Sequence, residues 1–291
     1  MKPHTFRYDY KLVLTDTIKQ MVSIALAEDL NTANGGSDIT AELIPADQNV
    51  TASLICREQG ILCGKEWFNE VFRQIDADVS IKWSADDGDN VLADQVLCTL
   101  KGSARAVLTG ERSAMNFLQT LSGTATETRK YVNKLKGTDC RLLDTRKTLP
   151  GFRLAQKYAV TCGGGYNHRT GLFDAFLIKE NHIFACGGID KAIQQANENH
   201  PEHPVEVEVE DLGEFQLALD AGADVIMLDN FSNKDKVEAV MLNQGCAALE
   251  ASGNITLDTL SEVAKTGVDY ISIGAITKNI SALDLSLRVI N

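Results

Sequence analysis

The stretch VEVEVEDLGEFQLALDAGADVIMLD, Val205–Asp229, contains the pattern that decides the fold. It begins with an apolar run, Val205–Glu208, and ends with a second one, Val225–Asp229, and the amphipathic stretch Leu212–Ala221 lies between them. Two short strands with an intervening helix form the unit from which parallel sheets are built, because parallel strands need a crossover connection. The stretch therefore predicts one βα unit of an α/β protein.

The same alternation continues on both sides of this unit. Further apolar runs are Arg141–Asp144, Ala175–Lys179, Ala247–Ser252 and Tyr270–Gly274, and further helical stretches are Lys191–Asn199, Lys234–Leu242 and Leu257–Thr266. The ends of the last four runs, at 208, 229, 252 and 274, lie about 21 to 23 residues apart, which is the period of compact βα units. The pattern predicts a parallel α/β barrel with fewer than eight clear strands.

Residues up to about 108 mix short strands with amphipathic helices. Helical spacing begins at Thr15 and at Phe68, and the predicted strands are Val50–Cys56, Ile61–Gly64, Val79–Trp83 and Val96–Leu100. The Asp-rich stretch Asp86–Asp89 lacks the spacing and the closing glutamate of a calcium loop, so we interpret it as a turn. This part predicts a mixed α+β layer without obvious chemistry of its own.

A long helical region, Thr109–Gly137, follows this layer, and we expect Gly123 to interrupt it. Its first turn would contain Arg112, where a cation opposes the helix dipole by about 0.3–1 kcal/mol. The position is explained either by a surface arginine tolerated at that small cost or by an arginine aimed at an anion.

Composition restricts the classes of function. A length of 291 residues with 44% hydrophobic content predicts about two packed domains. The net charge of -12 argues against a nucleic-acid binder, which needs a basic face. The N-terminus, MKPHTFRYDY, has no apolar signal core, and no stretch approaches the ~18 apolar residues of a membrane span. Seven scattered cysteines without a C-x-x-C pair indicate reduced thiols, so we expect a cytoplasmic protein.

In a parallel barrel the catalytic groups lie at the carboxyl ends of the strands. The segment RLLDTRKTLPG, 141–151, has this form, because a short apolar run ends in a polar cluster that Pro150 and Gly151 terminate. A solvated turn that happens to carry charge is the alternative for this segment alone. The run ends carry Arg146, Lys147, Lys179, Glu208, Asp229, Ser252 and Gly274.

These rim residues divide by charge. A cationic set suits a polyanionic small molecule: Arg146, Lys147, His168, Arg169 and Lys179. Glu208 and Asp229 are oxygen ligands that suit Mg²⁺. The loops that contain Ser252, Gly253 and Gly274 close late strands, where barrels often bind phosphate through backbone N–H groups. Together they predict a phosphorylated substrate, a magnesium ion and a second anion.

Three neighbouring features leave alternatives open. Cys162–Gly165 is a weak phosphate motif and favours a flexible hinge instead. His168 is either a catalytic acid or base, or a neutral donor to an anion. Glu206 and Glu210 share a strand face with Glu208; three buried like charges would be costly, so a solvated or rim location is favoured, and periodicity does not single out Glu208.

Ordered motifs extend along nearly the whole chain. They are EDLNTANGGSDIT at 28–40, GERSAMNFLQTLSGTAT at 110–126, DTRKTLPGFR at 144–153, GGGYNHRTGLFD at 163–174, VEVEVEDL at 205–212, ADVIMLDNF at 223–231, ALEASGNI at 248–255 and DYISIGAITKN at 269–279. This set resembles the quinolinate phosphoribosyltransferase family. The sequence departs from the family pattern at the insertion-like NTANGG, 31–36, and at Lys278, where some members have histidine, so a role for Lys278 is in doubt.

The resemblance implies an N-terminal α+β open sandwich over residues 1–115, joined by a C-terminal tail, 277–291, and packed on an incomplete α/β barrel over 116–276 in a homodimer. It implies that Arg112 reaches the active site of the partner subunit. The implied reaction joins quinolinate to phosphoribosyl pyrophosphate and gives nicotinate mononucleotide, pyrophosphate and CO₂, a step of NAD biosynthesis.

The resemblance also implies roles for the site residues. The catalytic set is Arg146, Lys147, Lys179, Glu208 and Asp229; the substrate-binding set adds Arg112, Thr145, His168, Arg169, Ser252, Gly253 and Gly274; and Glu208 and Asp229 hold Mg²⁺. Two alternatives are a related phosphoribosyltransferase that acts on another base and a non-catalytic nucleotide-binding protein. The first would not need the whole cationic set, and the second would not need Glu208 and Asp229 together.

Overall fold

The computed structural model describes residue 9 and residues 11–290, so the N-terminal segment that we searched for a signal core lies mostly outside the described part. The chain divides into two compact units. The barrel unit comprises Lys130–Arg153 and Gly165–Lys278. The N-terminal unit comprises Asp9–Arg129, Leu154–Gly164 and the residues from Asn279 onward. No helix of the described residues is both long and apolar enough to cross a membrane.

The N-terminal unit is an α+β open sandwich. Its elements, numbered in chain order, are α1 (Lys11–Leu30), β1 (Asn49–Cys56), β2 (Gly60–Ile61), α2 (Lys65–Ile75), β3 (Ser80–Trp83), β4 (Asn90–Val91), β5 (Val96–Ser103) and α3 (Ala104–Lys134), and later in the chain α4 (Arg153–Cys162) and β12 (Leu285–Val289). One antiparallel sheet has the strand order β12-β1-β5-β3, and β2 pairs with β4 in a small second sheet. The C-terminal strand therefore belongs to the N-terminal sheet.

The Asp-rich stretch Asp86–Asp89 is a turn whose Asp87 side chain caps the beginning of α2. Asp87 Oδ1 accepts hydrogen bonds from the backbone N–H groups of Gly64 and Lys65, at 3.0 and 3.2 Å, and its Oδ2 accepts one from the Tyr158 hydroxyl at 2.8 Å. A carboxylate at the beginning of a helix satisfies N–H groups that have no partner within the helix. The turn thus has a structural reason that needs no calcium.

Two predictions about α3 are wrong. The helix begins at Ala104, directly after β5, so Arg112 is its ninth residue and the argument from the dipole of the first turn does not apply. The helix also continues through Gly123 without interruption. A Cβ at this position would overlap the carbonyl oxygen of Ser281, so the glycine is explained by the close approach of the C-terminal segment.

The barrel unit contains one parallel sheet of six strands with helices between them. The strands are β6 (Arg141–Leu143), β7 (Phe176–Ile178), β8 (Val205–Val209), β9 (Val225–Asp229), β10 (Ala248–Ser252) and β11 (Tyr270–Ser272), and the helices are α5 (Glu180–Cys186), α6 (Ile189–Asn199), α7 (Leu212–Asp220), α8 (Asn233–Asn243), α9 (Leu260–Ala264) and α10 (Ala275–Lys278). All six predicted apolar runs form strands.

The strand order identifies an incomplete barrel. The sheet runs β7-β8-β9-β10-β11-β6, so the first strand in the chain lies beside the last. From β7 to β11 each strand pairs in parallel with the next strand in the chain, as in a barrel wound in one direction, and β11 also pairs in parallel with β6. No hydrogen-bonded ladder joins β6 to β7 among the described residues, and the barrel is open at that point. The predicted fold class is confirmed.

Packing and caps explain the short elements of the barrel unit. A buried apolar cluster packs together in the core of the barrel unit; it consists of Leu143, Ala175, Val225, Ala248 and Tyr270. Outside the sheet, the Asp211 side chain accepts hydrogen bonds from the first N–H groups of α7, and the Ser232 side chain does the same for α8. The strand register sets Asp229 beside Ser252 and Ser272 beside Leu143. The polar strand ends therefore meet at one edge.

Candidate active site

A cavity of about 360 Å³ opens at the carboxyl ends of the barrel strands. Its lining residues are Thr145, Arg146, Lys147, His168, Arg169, Leu177, Lys179, Glu208, Met227, Asp229, Ser252 and Ser272. The structure thus brings together most of the predicted site residues. Gly253 and Gly274 lie next to the lining, and Arg112, an exposed residue of α3, belongs to the N-terminal unit.

The loop after β6 supplies Thr145, Arg146 and Lys147. The Thr145 hydroxyl accepts a hydrogen bond from the Lys147 backbone N–H at 3.0 Å, and the Thr277 hydroxyl donates to the Lys147 carbonyl at 2.9 Å. A Cβ on Gly274 would come within 2.9 Å of Lys147 Cδ. Gly274 therefore leaves room for the lysine side chain beside the cavity.

The segment that carries His168 and Arg169 is attached to the end of β6. The fully buried Asp144 accepts hydrogen bonds from the Asn167 side chain at 2.6 Å and from the His168 backbone N–H at 2.9 Å. The Asp144 N–H also donates to the Tyr166 carbonyl at 3.1 Å. Asp144 is thus the residue that brings the two arginine-bearing segments of the cavity together.

Two arginines face this cavity with unused donors. Among the residues that the structure describes, no acceptor bonds to the Nε of Arg146 or to the Nε of Arg169, and both atoms are buried. Arg169 donates from Nη1 to the Ala175 carbonyl at 3.1 Å. Burial lowers the pKa of Arg169, and the neighbouring charge of Arg146 lowers it further. Two close cations with buried, unpaired N–H groups are suited to an anion with more than one negative charge.

The opposite wall is acidic. Lys179, at the end of β7, forms an ion pair with Glu208 on β8. Asp229, the last residue of β9, accepts a hydrogen bond from the Asn230 side chain at 2.7 Å. Glu208 and Asp229 are half-buried and lie on neighbouring strands of the same cavity. Their oxygens fit Mg²⁺, which usually takes one or two protein carboxylates together with water and substrate phosphate oxygens.

The loop after β10 is organised around Asn230. Its side-chain oxygen accepts a hydrogen bond from the Asn254 side chain at 3.1 Å. Gly253 has a φ of +91°, and a Cβ there would overlap this same oxygen. The glycine is therefore required for the close approach of the two loops, and it sets the backbone beside Ser252.

His168 sits at the bottom of the cavity above two buried glutamates. Its Nδ1 accepts a hydrogen bond from the Arg169 backbone N–H at 2.8 Å. Its Nε2 lies 3.0 Å from Glu206 Oε2 and 3.5 Å from Glu250 Oε2. Burial raises the pKa of each glutamate to about 8. Both ring nitrogens of His168 face protein groups, so a direct bond to a substrate, which stays a prediction, is not favoured by this arrangement.

The expectation that Glu206, Glu208 and Glu210 lie in a solvated or rim location is wrong for one of them. Glu206 is fully buried, Glu208 is half-buried at the cavity and Glu210 is exposed. Glu206 and Glu208 belong to β8 and Glu210 directly follows it, so exposure increases from Glu206 to Glu210 along the chain. The sequence does not indicate the burial of Glu206, because its partners come from distant segments.

The remaining lining residues were missed. Leu177 and Met227 belong to predicted apolar runs, and an apolar residue in such a run gives no sign that it lines a cavity. Ser272 ends β11, and its polar side chain within the apolar run Tyr270–Gly274 was a signal that could have found it. In Cys162–Gly165, which we interpreted as a flexible hinge, the Arg129 guanidinium donates hydrogen bonds to the carbonyls of Cys162 and Gly163 at 3.1 and 2.8 Å. These two bonds hold the backbone at this point.

Fold and cavity together define a protein of the α/β-barrel class with a cationic site at the carboxyl ends of its strands. Residues 38–122 match the family model of the quinolinate phosphoribosyl transferase N-terminal domain, and residues 124–288 match that of its C-terminal domain. The chain belongs to the quinolinate phosphoribosyl transferase family.

Individual proteins similar to this chain have names of the same family. A probable nicotinate-nucleotide pyrophosphorylase [carboxylating] of Bacillus subtilis is 40% identical over 274 residues, which is 94% of this chain and 93% of that protein. Quinolinate phosphoribosyltransferase [decarboxylating] 1b of Nicotiana tabacum is 38% identical over 94% of this chain and 83% of its own. The solved structure of the nicotinate-nucleotide pyrophosphorylase from Francisella tularensis superimposes with a TM-score of 0.91 at 49% identity, covering 99% of this chain and 100% of that chain.

Proposed function

We propose that the chain transfers the phosphoribosyl group of phosphoribosyl pyrophosphate to quinolinate, with loss of CO₂, to give nicotinate mononucleotide and pyrophosphate in NAD biosynthesis. The observation that carries the proposal is the pair of buried, unpaired arginine Nε groups, on Arg146 and Arg169, in a cavity that Glu208 and Asp229 also line. One wall suits a dicarboxylate and the other suits a magnesium diphosphate.

Quinolinate binding is assigned to the cationic wall. Arginine forks match carboxylates in a bidentate geometry, so Arg146 and Arg169 can each hold one carboxylate, while Lys147 and Lys179 add positive charge. Two fixed carboxylates orient the ring, and the ring nitrogen then faces the anomeric carbon of the ribose. Leu177 and Met227 offer the ring an apolar surface.

Phosphoribosyl pyrophosphate is assigned to the acidic wall. Glu208 and Asp229 would hold Mg²⁺, which supplies charge neutralisation for the departing diphosphate. The Lys179 ammonium lies against Glu208 and keeps that carboxylate from being an uncompensated charge beside the substrate. Backbone N–H groups near Ser252, Gly253 and Gly274 are suited to the 5′-phosphate, and Thr145 borders the same space.

No protein nucleophile is needed for this chemistry. The ring nitrogen of quinolinate attacks the anomeric carbon as the bond to pyrophosphate breaks, and the nitrogen becomes positively charged. That charge accepts the electron pair released when the bond to the 2-carboxylate breaks, and a proton then adds at the same ring carbon. The cations of the cavity hold the reacting groups in place during both steps.

The proposal includes a cytoplasmic homodimer in which Arg112 reaches the active site of the partner subunit. Arg112 is exposed on α3 in the N-terminal unit, which is compatible with a contact to another chain. All seven cysteines are free, as expected of a protein in a reducing compartment. Mixing Arg112→Ala subunits with Lys147→Ala subunits should restore about one working site per heterodimer. Mixtures as inactive as either variant would contradict the shared site.

The substrate assignment is tested with Arg146→Ala and a coupled assay of quinolinate consumption. We expect wild-type turnover only when phosphoribosyl pyrophosphate is present, and a loss of at least about 100-fold in kcat/KM in the variant, because a charge-assisted bidentate contact disappears. Arg288→Ala, on β12 of the N-terminal sheet, serves as the matched control and should keep wild-type rates. Full activity in a folded Arg146→Ala variant would remove Arg146 from the site.

A further inference from the structure

Two fully buried glutamates lie beneath the cavity, and the reaction as described does not use them. Glu206 is on β8 and Glu250 is on β10, and both are 0% exposed. Apolar side chains of similar volume would make a more stable barrel interior, because carboxylates lose their hydration there. Both carboxylates approach the same atom, His168 Nε2, at 3.0 and 3.5 Å. The barrel thus places two acceptors around one ring nitrogen.

The other ring nitrogen fixes where the imidazole proton resides. His168 Nδ1 accepts a hydrogen bond from the Arg169 backbone N–H at 2.8 Å, so Nδ1 carries no proton. The proton of a neutral imidazole must then be on Nε2, within reach of one oxygen of Glu206 and one oxygen of Glu250. If those acceptors were removed, the opposite tautomer would become accessible. In that tautomer Nδ1–H would face the Arg169 N–H, donor against donor.

The backbone that this bond fixes also carries a substrate cation. Arg169 points its guanidinium at the cavity, with Nη1 bonded to the Ala175 carbonyl at 3.1 Å. The preceding peptide is held from the other side, where Asp144 accepts the His168 N–H at 2.9 Å. A rotation of the peptide between His168 and Arg169 would therefore move the guanidinium away from the position that suits a carboxylate.

We propose that Glu206 and Glu250 are positioning residues that fix the Nε2–H tautomer of His168 and thereby orient Arg169 towards a carboxylate of the substrate. The identity of that substrate rests on the proposed function, whereas the tautomer does not. Ser272, which lines the cavity, lies close enough to Glu250 to lower the pKa of its carboxyl group. Residues that hold a ligand-binding side chain without touching the ligand commonly fix the orientation of that side chain.

The tautomer is measured directly by ¹⁵N NMR of histidine-labelled protein at neutral pH. The chain has five histidines, and the spectrum of the His168→Gln variant assigns the resonance of interest by difference. We expect a neutral ring whose Nε2 is protonated and whose Nδ1 is not. A protonated Nδ1, or an Nε2 without a proton, would overturn the proposal. This outcome does not depend on which substrate the wild-type protein uses.

The consequence for the substrate is measured with Glu250→Leu and Glu250→Gln. Leucine removes one of the two acceptors around Nε2–H, whereas glutamine keeps an oxygen that can accept from it; Glu206, at 3.0 Å, remains in both variants. We expect Glu250→Leu to raise the KM for quinolinate about tenfold or more and to leave the KM for phosphoribosyl pyrophosphate within about twofold. Glu250→Gln should recover most of the quinolinate affinity. Glu210→Leu, at the exposed residue that directly follows β8, should behave as the wild type.

Equal changes in both KM values, or no change in a folded Glu250→Leu variant, would refute the positioning role. If Glu250→Leu does not fold, the same comparison is made with Glu206→Gln and Glu206→Leu, and the NMR result on the wild-type chain decides the tautomer in any case. A wild-type chain that does not turn over quinolinate would refute the proposed function and leave the tautomer result standing, so the two failures are distinguishable.

Discussion

The substitution Asp144→Asn tests how the two arginine-bearing segments are joined. The Asp144 carboxylate is fully buried and accepts from Asn167 Nδ2 at 2.6 Å and from the His168 N–H at 2.9 Å. An amide in its place keeps one acceptor and turns the other into a donor that faces a donor. Since hydrogen bonds to a charged group contribute about 1.5–3 kcal/mol each, we expect the free energy of unfolding to fall by about 2–4 kcal/mol.

The assay is urea unfolding followed by circular dichroism at neutral pH, with quinolinate KM measured on the same samples. Asp220→Asn, on the exposed face of α7, is the control and should stay within about 0.5 kcal/mol of the wild type. The double variant Asp144→Asn with Asn167→Asp re-forms an amide-to-carboxylate bond and should recover at least about 1 kcal/mol relative to the sum of the single changes. A single Asp144→Asn variant as stable as the control, or no coupling in the double variant, would refute this account of the junction.

Three further perturbations follow from the same structure. Burial raises the pKa of Glu250 from 4.5 to about 8, so between these pH values the folded chain holds a proton that the unfolded chain releases. The contribution to the free energy of unfolding is full below pH 4.5 and falls as pH rises to about 8, by up to about 1.4 kcal/mol per pH unit for one proton. Denaturant titrations at several pH values should find a smaller slope of stability against pH in Glu250→Gln. An unchanged slope would exclude Glu250 as the titrating group. Gly123→Ala should lower the melting temperature although alanine favours helices, because the new methyl group would overlap the Ser281 carbonyl; a variant that melts at or above the wild-type temperature contradicts that packing. Chelation of divalent ions should abolish turnover and added Mg²⁺ should restore it, whereas Glu208→Ala and Asp229→Ala should each raise the Mg²⁺ concentration needed for half-maximal rate by about tenfold or more; variants with the wild-type requirement would remove these residues from the magnesium site.

The barrel was predictable because its signal is local and repeated. Each strand is a short apolar run, and β9, Val225–Asp229, has the bounds that the sequence indicates. The regular spacing of the run ends predicts parallel strands, and the parallel arrangement in turn gathers Lys179, Glu208 and Asp229 at one edge. For these residues one geometric rule, that parallel strands end at the same edge of a sheet, is enough to predict that they lie in one site.

The features that escaped prediction depend on residues far apart in the chain. From the local sequence Gly123 predicts a helix break, whereas its structural reason is the close contact with Ser281, which is far along the chain. The start of α3 at Ala104 was missed because no loop or cap separates it from β5. Burial of Glu206 depends on His168 from another segment. Local propensity contains no information about such contacts.

The central claim is that one cavity binds a pyridine dicarboxylate beside a magnesium diphosphate and couples their reaction to decarboxylation. It is tested most directly with quinolinate labelled with ¹⁴C in its 2-carboxylate, by measuring released ¹⁴CO₂ and pyrophosphate in the same reaction. The account predicts equal amounts of both products, and neither product when phosphoribosyl pyrophosphate or Mg²⁺ is withheld. Release of CO₂ without phosphoribosyl pyrophosphate, or of pyrophosphate without CO₂, would contradict it.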